Sequence, residues 1–374
     1  MARQTSITAY SLSDPVSSKY VLARVLEHLR QPVYFKTALA LYRRLQFGRF
    51  LDSSYLCTNL QLDSLGQPDV TSIQEPWFYA FIDRGCRPET EVWIFGSWEV
   101  SESQQPSDHH PSSSNGTDVQ PSNDTTATPT STQDEKVRAL LLSLIHTLRS
   151  QSPPPSIHAD AAVLAAQSQL ATKPDAPSLP NPEIMLWGAV HATTTAHLQA
   201  LDLAATHLLP VMPNHTFVFP IAALPAPPPP LPPTLRWGKV QKQHFPLVRS
   251  RTEIARQDFT LARLPNLAIF PVEPAEAAPV AWAFVGLDGS LTTLHTEATH
   301  RRMGLAMMLT AKLFREEMGF FWEEGVERLA HGNVAVGNEA SAGMCRRLGG
   351  ESIGEVYWVR VDLNAKSQSV SNGV

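Results

Sequence analysis

The residues best suited to chemistry lie in one stretch, residues 294–309, where a strand-like run ends, a basic turn follows and an apolar-faced helix begins. Free N–H groups at a helix start point towards an anion, and the helix dipole favours negative charge there. Gly304 allows close approach of the backbone, and Arg301 and Arg302 offer charge-assisted hydrogen bonds. These features predict a diphosphate-binding turn. The alternative is an ordinary strand-to-helix turn with solvated arginines.

A second segment, residues 333–350, follows after one helix-like and one strand-like stretch. Asn338 precedes a run whose periodicity predicts a helix, and Ser341 lies one turn along it. Asn is a common helix N-cap. Taken alone, this segment is compatible with a plain capped helix in which Ser341 faces outwards.

Together and in this order, the two segments resemble the two signatures of the GNAT superfamily of N-acetyltransferases. The first signature spans six residues: Gln or Arg at the first position, Gly at the fourth, and Gly or Ala at the sixth. Here Arg301, Gly304 and Ala306 occupy these three positions. The resemblance implies that the turn holds the diphosphate of coenzyme A. It also implies that the strand before Asn338 diverges from the motif strand, with the pantetheine arm in the gap.

The resemblance therefore implies a binding surface for acetyl-CoA or another acyl-CoA as co-substrate, with no metal. Its residues are Leu294, His295, Thr296, Arg301, Arg302, Met303, Gly304, Leu305, Ala306, Asn338 and Ser341.

Three shorter runs, at residues 281–284, 288–291 and 357–361, narrow the resemblance to the glycine N-acyltransferase-like branch. Members of that branch carry a degenerate GNAT-like lobe before the catalytic one. The fold implied is α/β with a mixed sheet: a GNAT fold in the C-terminal domain, preceded by a degenerate GNAT-like N-terminal lobe with disordered inserts.

Acyl transfer to an amine requires a proton acceptor, a polarised thioester carbonyl and a proton donor for the departing thiolate. Relatives often place a Tyr as donor where this chain has Cys345, which could instead be a small buried hydrophobe. Ser290 stands where some relatives have a catalytic glutamate. Strand alternation puts His295 and Glu297 on one face, and His295 has the more suitable pKa for a base at neutral pH. A structural histidine and direct proton transfer to water remain alternatives.

The composition limits the function classes. The chain has 374 residues, 31 of them Pro, and a formal net charge of -5, which argues against a nucleic-acid binder. Its three cysteines lack the spacing of a zinc site or a disulfide framework. We find neither an export signal nor a membrane span in the sequence. The expectation is an intracellular, cytoplasmic protein without nucleic-acid or membrane partners, whose oligomeric state stays open.

Composition shifts predict the domain organisation. Residues 1–224 form the N-terminal GNAT-like lobe, with a disordered insert at 101–135 and a Pro/Ala-rich segment at 151–182. Residues 225–234 are a Pro-rich linker and mark the predicted domain boundary. Residues 235–364 form the GNAT N-acyltransferase domain, and residues 365–374 a disordered tail.

Hydrophobic periodicity predicts the elements themselves. Helices are expected to begin at Pro15 and end before Pro32, and to cover residues 35–45, 136–148, 161–170, 194–208, 252–264, 304–318 and 339–348. Strands are expected at 77–82, 92–95, 184–192, 215–221, 267–271, 279–287, 290–297, 328–336 and 355–363. The dipeptide Asp288-Gly289 predicts a two-residue type I′ hairpin.

The function expected is acyl transfer from coenzyme A to an amine acceptor, a small molecule or an amino acid. A protein or peptide N-acetyltransferase and a catalytically weak acyl-CoA-binding protein are the alternatives.

Overall fold

The computed structural model describes residues 6–62, 75–100, 132–156, 181–206, 211–226, 230–252, 256–274 and 276–365. Within these residues, 12 strands form one mixed sheet. Numbered along the chain with the bounds that follow, they lie in the order β1-β2-β3-β4-β5-β12-β6-β11-β10-β9-β8-β7. Residues 101–131 of the predicted insert, the helix predicted at 161–170 and residues 366–374 of the predicted tail lie outside the described residues.

The N-terminal half supplies six strands and five helices to the described fold. They are β1 (Thr8–Ser11), α1 (Pro15–Leu29), α2 (Pro32–Phe35), α3 (Leu39–Phe47), β2 (Tyr55–Thr58), β3 (Phe78–Ile82), β4 (Val92–Gly96), α4 (Thr132–Arg149), β5 (Ile184–His191), α5 (Ala192–Ala200) and β6 (Asn214–Pro220).

The C-terminal half supplies six strands and four helices to it. They are β7 (Leu235–Gly238), α6 (Phe245–Ser250), α7 (Asp258–Leu261), β8 (Asn266–Pro271), β9 (Ala281–Val285), β10 (Ser290–Thr296), α8 (Leu305–Glu316), β11 (Leu329–Ala335), α9 (Glu339–Arg347) and β12 (Glu351–Asp362).

Most predicted elements are confirmed, and some boundaries were wrong. α4 begins at Thr132, so residues 132–135 are helical rather than disordered. The helix predicted over 194–208 ends at Ala200, because Asp202 takes a left-handed conformation with φ 54° that stops it. The helix predicted over 35–45 is divided into α2 and α3.

The helix predicted over 252–264 was also wrong, since only the four residues of α7 are helical there and residues 253–255 lie outside the described residues. Gln257 is extended, with φ -91° and ψ 148°, and acts as the N-cap of α7. Its N–H donates to Glu89 Oε1 at 3.0 Å, so a carboxylate from the N-terminal half fixes the start of this short helix.

The hairpin between β9 and β10 is confirmed, but its type was wrong. Gly289 has φ 76°, whereas Asp288 is not among the residues with positive φ. The N–H of Gly289 donates to the carbonyl of Gly286 and the N–H of Gly286 to that of Ser290. The loop therefore has three residues, a tight turn followed by a left-handed Gly, because the Asp288 carboxylate accepts from the Ser290 N–H at 3.1 Å and holds the turn.

The two halves exchange strands. β6 comes from before the Pro-rich run, yet it pairs with β11 along seven residues and with β12 on its other side. β12, near the end of the chain, pairs in turn with β5 of the N-terminal half. Each half therefore completes its part of the sheet with a strand from the other.

Each half also contains a pair of parallel strands that separate. β10 and β11 pair only at Ser290–His331 and Leu291–Gly332. β4 and β5 pair only at Val92–Trp187. The divergence expected of the motif strand is confirmed, and we call the opening between β10 and β11 the C-gap and its counterpart between β4 and β5 the N-gap.

Candidate functional site

The turn after β10 ends in an uncapped helix start. Gly304 is the N-cap of α8 with φ 76°, and no side chain among the described residues caps it. The first N–H groups of an α-helix have no partner within the helix. A Cβ at Gly304 would have open space around it, with no described heavy atom within 4 Å. The start of α8 therefore presents backbone donors to an open surface that can receive an anion.

The side chains around this turn divide into anchors and exposed groups. Leu305 is buried and Ala306 packs against the core, so they fix the first turn of α8. Arg301 and Arg302 are exposed, and Arg302 has φ 65°. Arg301 Nε donates to the Thr296 carbonyl at 3.1 Å, which holds this arginine against the end of β10.

The edge of β10 that faces the C-gap is open. Pairing with β11 stops at Leu291. On the opposite edge, the register with β9 shifts between Thr292 and His295, and Thr293 has φ 54°. A bulge of this kind turns local backbone groups away from the ladder. Leu294 packs against the core beside it. Beyond Leu291 the edge of β10 that faces the C-gap has no partner strand within the described residues.

His295 lies on the motif strand beside Glu297, as strand alternation predicted, with Nε2 3.6 Å from Glu297 Oε2. The ring stacks on Trp282 at a centroid distance of 4.7 Å. Burial lowers the pKa of His295, and the neighbouring Glu297 partly opposes this. Burial alone would raise the pKa of Glu297, but Arg251, whose Nε lies 2.9 Å from Oε1, and His295 lower it. A neutral imidazole beside a carboxylate can accept a proton.

The second signature is seen as a capped helix. Asn338 is the exposed N-cap of α9, and its Oδ1 accepts from the Ser341 N–H at 3.1 Å. Cys345 is 1% exposed within the hydrophobic core, and burial raises the pKa of its thiol to about 11. Such a thiol releases its proton less readily than a free one.

Sequence reasoning missed an arginine near the C-gap. Arg256 Nη2 donates to Thr292 Oγ1 at 2.8 Å, on the open part of β10. Its Nε is buried and forms no hydrogen bond within the described part of the chain. Glu89 anchors the adjacent helix α7 by accepting from Thr260 Oγ1 at 2.6 Å. No local pattern marks Arg256, because only the folded chain brings it to β10.

A buried pair at the base of the C-gap was also missed. Asp288 Oδ2 lies 3.9 Å from His331 Nε2, and Asp288 Oδ1 accepts from Ser290 Oγ at 2.6 Å. Burial lowers the pKa of His331 to about 4, Asp288 opposes the shift and Arg43 adds to it. The sequence drew attention here to Ser290 and to the Asp288-Gly289 turn, but not to His331.

The N-gap is filled by the protein's own side chains. A Cβ at Gly96 would lie 2.3 Å from the Trp98 ring, so the indole sits directly against β4. Trp98 Nε1 donates to Thr194 Oγ1 at 2.8 Å, and Thr194 Oγ1 donates to Glu99 Oε1 at 2.6 Å. This network joins the end of β4 to the start of α5 across the opening.

None of the helices in the described ranges is long and apolar enough to cross a membrane. Among the same residues, no group of three or more His, Cys, Asp or Glu is arranged to hold a metal ion.

Two protein families match the sequence. The family described as acyl-CoA N-acyltransferase verG N-terminal domain matches residues 13–207, and the family described as FR47-like protein matches residues 269–359. No curated protein matches the chain significantly.

Solved structures resemble nearly the whole chain. A Drosophila protein solved by X-ray crystallography is 14% identical, with a TM-score of 0.53 over 96% of this chain and 99% of that one. A tandem GNAT protein from the clavulanic acid biosynthesis pathway is 10% identical, with a TM-score of 0.41 over 96% and 100%. A GCN5-related N-acetyltransferase from Sphaerobacter thermophilus is 11% identical, with a TM-score of 0.42 over 96% of each chain. The likeness to the Drosophila protein shows that the two-lobe arrangement is a shared fold.

Proposed function

Since the chain belongs to the GNAT superfamily, within the acyl-CoA N-acyltransferase family named for the verG N-terminal domain, we propose that it transfers an acyl group from coenzyme A to the amine of a small molecule. The family supports acyl-CoA-dependent N-acyltransferase activity.

The observation that carries the proposal is the uncapped start of α8. Gly304 at φ 76° leaves the first N–H groups of a 12-residue helix facing open space. The diphosphate of coenzyme A binds these groups, with Arg301 and Arg302 beside them. The N-gap supports this choice of half, because Trp98 donates a hydrogen bond to Thr194 across its opening.

The pantetheine arm then lies along the open edge of β10 in the C-gap. A backbone N–H at the bulge near Thr293 hydrogen-bonds the thioester carbonyl and stabilises the oxyanion that forms during attack. Asn338 follows β11 at the opening. As the N-cap of α9 it uses only its Oδ1 atom, which accepts from the Ser341 N–H. Cys345 as proton donor stays a prediction, and His295 stays one candidate for the proton acceptor.

Arg256 supports an acceptor that carries a carboxylate, such as an amino acid. Its guanidinium reaches Thr292 on the open part of β10, and the helix beside it is anchored by Glu89. An arginine in this position can bind a carboxylate through two parallel hydrogen bonds. The carboxylate would then hold the amine of the acceptor near the C-gap.

A thioester-turnover screen tests this function. The full chain is incubated with acetyl-, benzoyl- and longer acyl-CoA and with amines in matched pairs, each amino acid against its decarboxylated amine. Mass spectrometry should detect N-acyl products, formed faster from the amino acid of each pair. In Arg256→Ala that preference should shrink, because the guanidinium no longer binds the carboxylate.

Two results would contradict the proposal. Tight binding of acyl-CoA without turnover of any amine would support a binding protein instead. Acylation of peptides but not of small amines would support a peptide N-acetyltransferase.

A further inference from the structure

His331 is a buried histidine whose ring is not satisfied by the protein. It lies on β11 and is 1% exposed. Neither Nδ1 nor Nε2 forms a hydrogen bond within the described residues, and the nearest acid, Asp288, is 3.9 Å away. A buried polar group without a partner costs roughly 1–3 kcal/mol. An imidazole kept in this state requires a ligand, a water molecule or a catalytic role to explain it.

The ring of His331 borders a small cavity among the described residues. The cavity has a volume of about 30 Å³, enough for one water-sized group. Polar residues from both halves line it, among them Lys36, His191, Thr216, His331 and Asn333. Thr216 Oγ1 donates to Asn333 Oδ1 at 2.8 Å, so strands β6 and β11 are tied together at the cavity wall. The cavity can therefore hold a water molecule or the amine end of a small acceptor.

The position of His331 in the sheet connects this cavity to the C-gap. His331 pairs with Ser290, and the next pair, Leu291–Gly332, is the last before β10 and β11 diverge. A Cβ at Gly332 would lie 3.2 Å from Leu291 Cβ, so the strands approach closely at this point. In the proposed binding mode, the base of the C-gap is where the arm carrying the thioester ends.

Asp288 is placed to orient the imidazole. Its Oδ1 accepts hydrogen bonds from the Ser290 hydroxyl and N–H. Its Oδ2 is therefore the oxygen that faces His331 Nε2. On the helix side, Arg43 is fixed by the carbonyls of Phe321 and Leu329 and is the nearby cation. Lys36 and His191 are the other titratable groups facing the cavity.

We propose that His331, oriented by Asp288, accepts the proton of the acceptor amine, directly or through one water molecule in the cavity. This inference rests on the proposed function. The amine nitrogen forms a bond to the thioester carbonyl carbon and transfers one proton to His331. The carbon–sulfur bond then breaks, its electron pair leaves with the thiolate, and the proton on His331 passes to the thiolate or to solvent. The imidazole returns to its neutral form.

The test compares His331→Gln with His295→Gln, because Gln keeps polarity and similar length but does not accept a proton at neutral pH. With the best amine from the screen, His331→Gln should lower the rate of acyl transfer by roughly 10²–10⁴-fold, the usual effect of losing a general base. His295→Gln tests the competing proton acceptor and should lower the rate by a smaller factor than His331→Gln does. Acetyl-CoA affinity, measured by calorimetry, should be unchanged in His331→Gln.

A pH series separates catalysis from structure. As the pH rises from neutral to alkaline, hydroxide can remove the proton of the attacking amine in place of His331. The defect of His331→Gln should then shrink, whereas a purely structural defect would not.

Asp288→Asn gives a second and milder variant should His331→Gln fold poorly. As a positioning residue, Asp288 should affect kcat by about tenfold with little change in the KM of the amine, and its defect should also shrink at alkaline pH.

The outcomes are distinguishable. Absence of turnover in the wild-type chain overturns the proposed function and this inference with it. Turnover that folded His331→Gln and Asp288→Asn leave unchanged overturns the inference alone. A large loss in His295→Gln without one in the other two assigns the proton to His295 and also overturns it.

Discussion

The N-gap and the C-gap have the same backbone origin and opposite contents. In each, two parallel strands pair at one or two positions and then separate. In the N-gap, Trp98 lies against Gly96 and bonds Thr194 across the opening. In the C-gap, β10 has an open edge, and Gly304 exposes an uncapped helix start. A diverging strand pair alone therefore does not make a ligand site, since side chains can close it.

The largest expected effect concerns the turn at the C-gap. Gly304→Val should weaken coenzyme A binding by roughly 100-fold or more, because losing two charge-assisted hydrogen bonds of about 1.5–3 kcal/mol each has at least that effect. A β-branched residue resists φ 76° and tilts the N–H groups away. Calorimetry with coenzyme A measures the loss.

Gly325→Val is the matched control. Gly325 has φ 73° and open space around its Cα, but it lies in the loop before β11. The control should show similar strain and unchanged affinity. Unchanged affinity in folded Gly304→Val would remove the turn from the binding site.

The next effect concerns the filling of the N-gap. Trp98→Ala should lower the free energy of unfolding by about 2–3 kcal/mol, since a large aromatic side chain leaves a cavity and Thr194 loses a hydrogen-bond partner. Denaturant unfolding measures this change. Coenzyme A affinity should stay the same, because the diphosphate turn is in the other half. If Trp98→Ala gained a second coenzyme A site, Trp98 alone would account for the difference in binding between the N-gap and the C-gap.

A smaller effect comes from the acid buried in the N-gap. Burial raises the pKa of Glu99 to about 8, although Thr194 Oγ1 and the Gly96 backbone oppose the shift. The folded pKa lies above the unfolded value, so Glu99 contributes stability below about pH 4.3 that is lost as the pH rises through 8.

Glu99→Gln should therefore raise the melting temperature at pH 8 relative to the wild type and have less effect at pH 5. Thermal unfolding across this range checks it. Parallel curves for the two proteins would mean that Glu99 is ionised throughout.

The smallest effect concerns the segment that follows the N-gap. Residues 101–131 are rich in Ser, Thr, Pro and Asn and offer no apolar face to bury. Deleting them should leave the melting temperature and coenzyme A affinity nearly unchanged, provided a short flexible linker joins residue 100 to Thr132. A loss of several degrees or of affinity would give this segment a structural role.

The Pro-rich linker at 225–234 remains a predicted boundary. The exchange of strands bears on whether the chain can be divided at this boundary. β6 pairs with β11 of the C-terminal half, and β12 pairs with β5 of the N-terminal half. We expect neither half to fold well when expressed alone.

The local features of this protein follow from its amino-acid sequence alone. The basic glycine turn, the motif strand, α8 and α9 all follow from spacing within a few residues, since capping, periodicity and left-handed glycines are local effects. The resemblance to the GNAT superfamily rested on the same short segments. The prediction of a type I′ turn at Asp288 was wrong, because the hydrogen bond from the Ser290 N–H to the Asp288 carboxylate favours a different turn.

Which opening is free, and which residues surround it, depends on contacts that form only in the folded chain. Trp98 closing on Thr194, Arg256 reaching Thr292, and Asp288 facing His331 each join elements far apart in the chain. The exchange of β6 and β12 depends on strand pairing across the whole sheet. Such contacts arise from packing between distant segments, so periodicity and propensity carry no information about them.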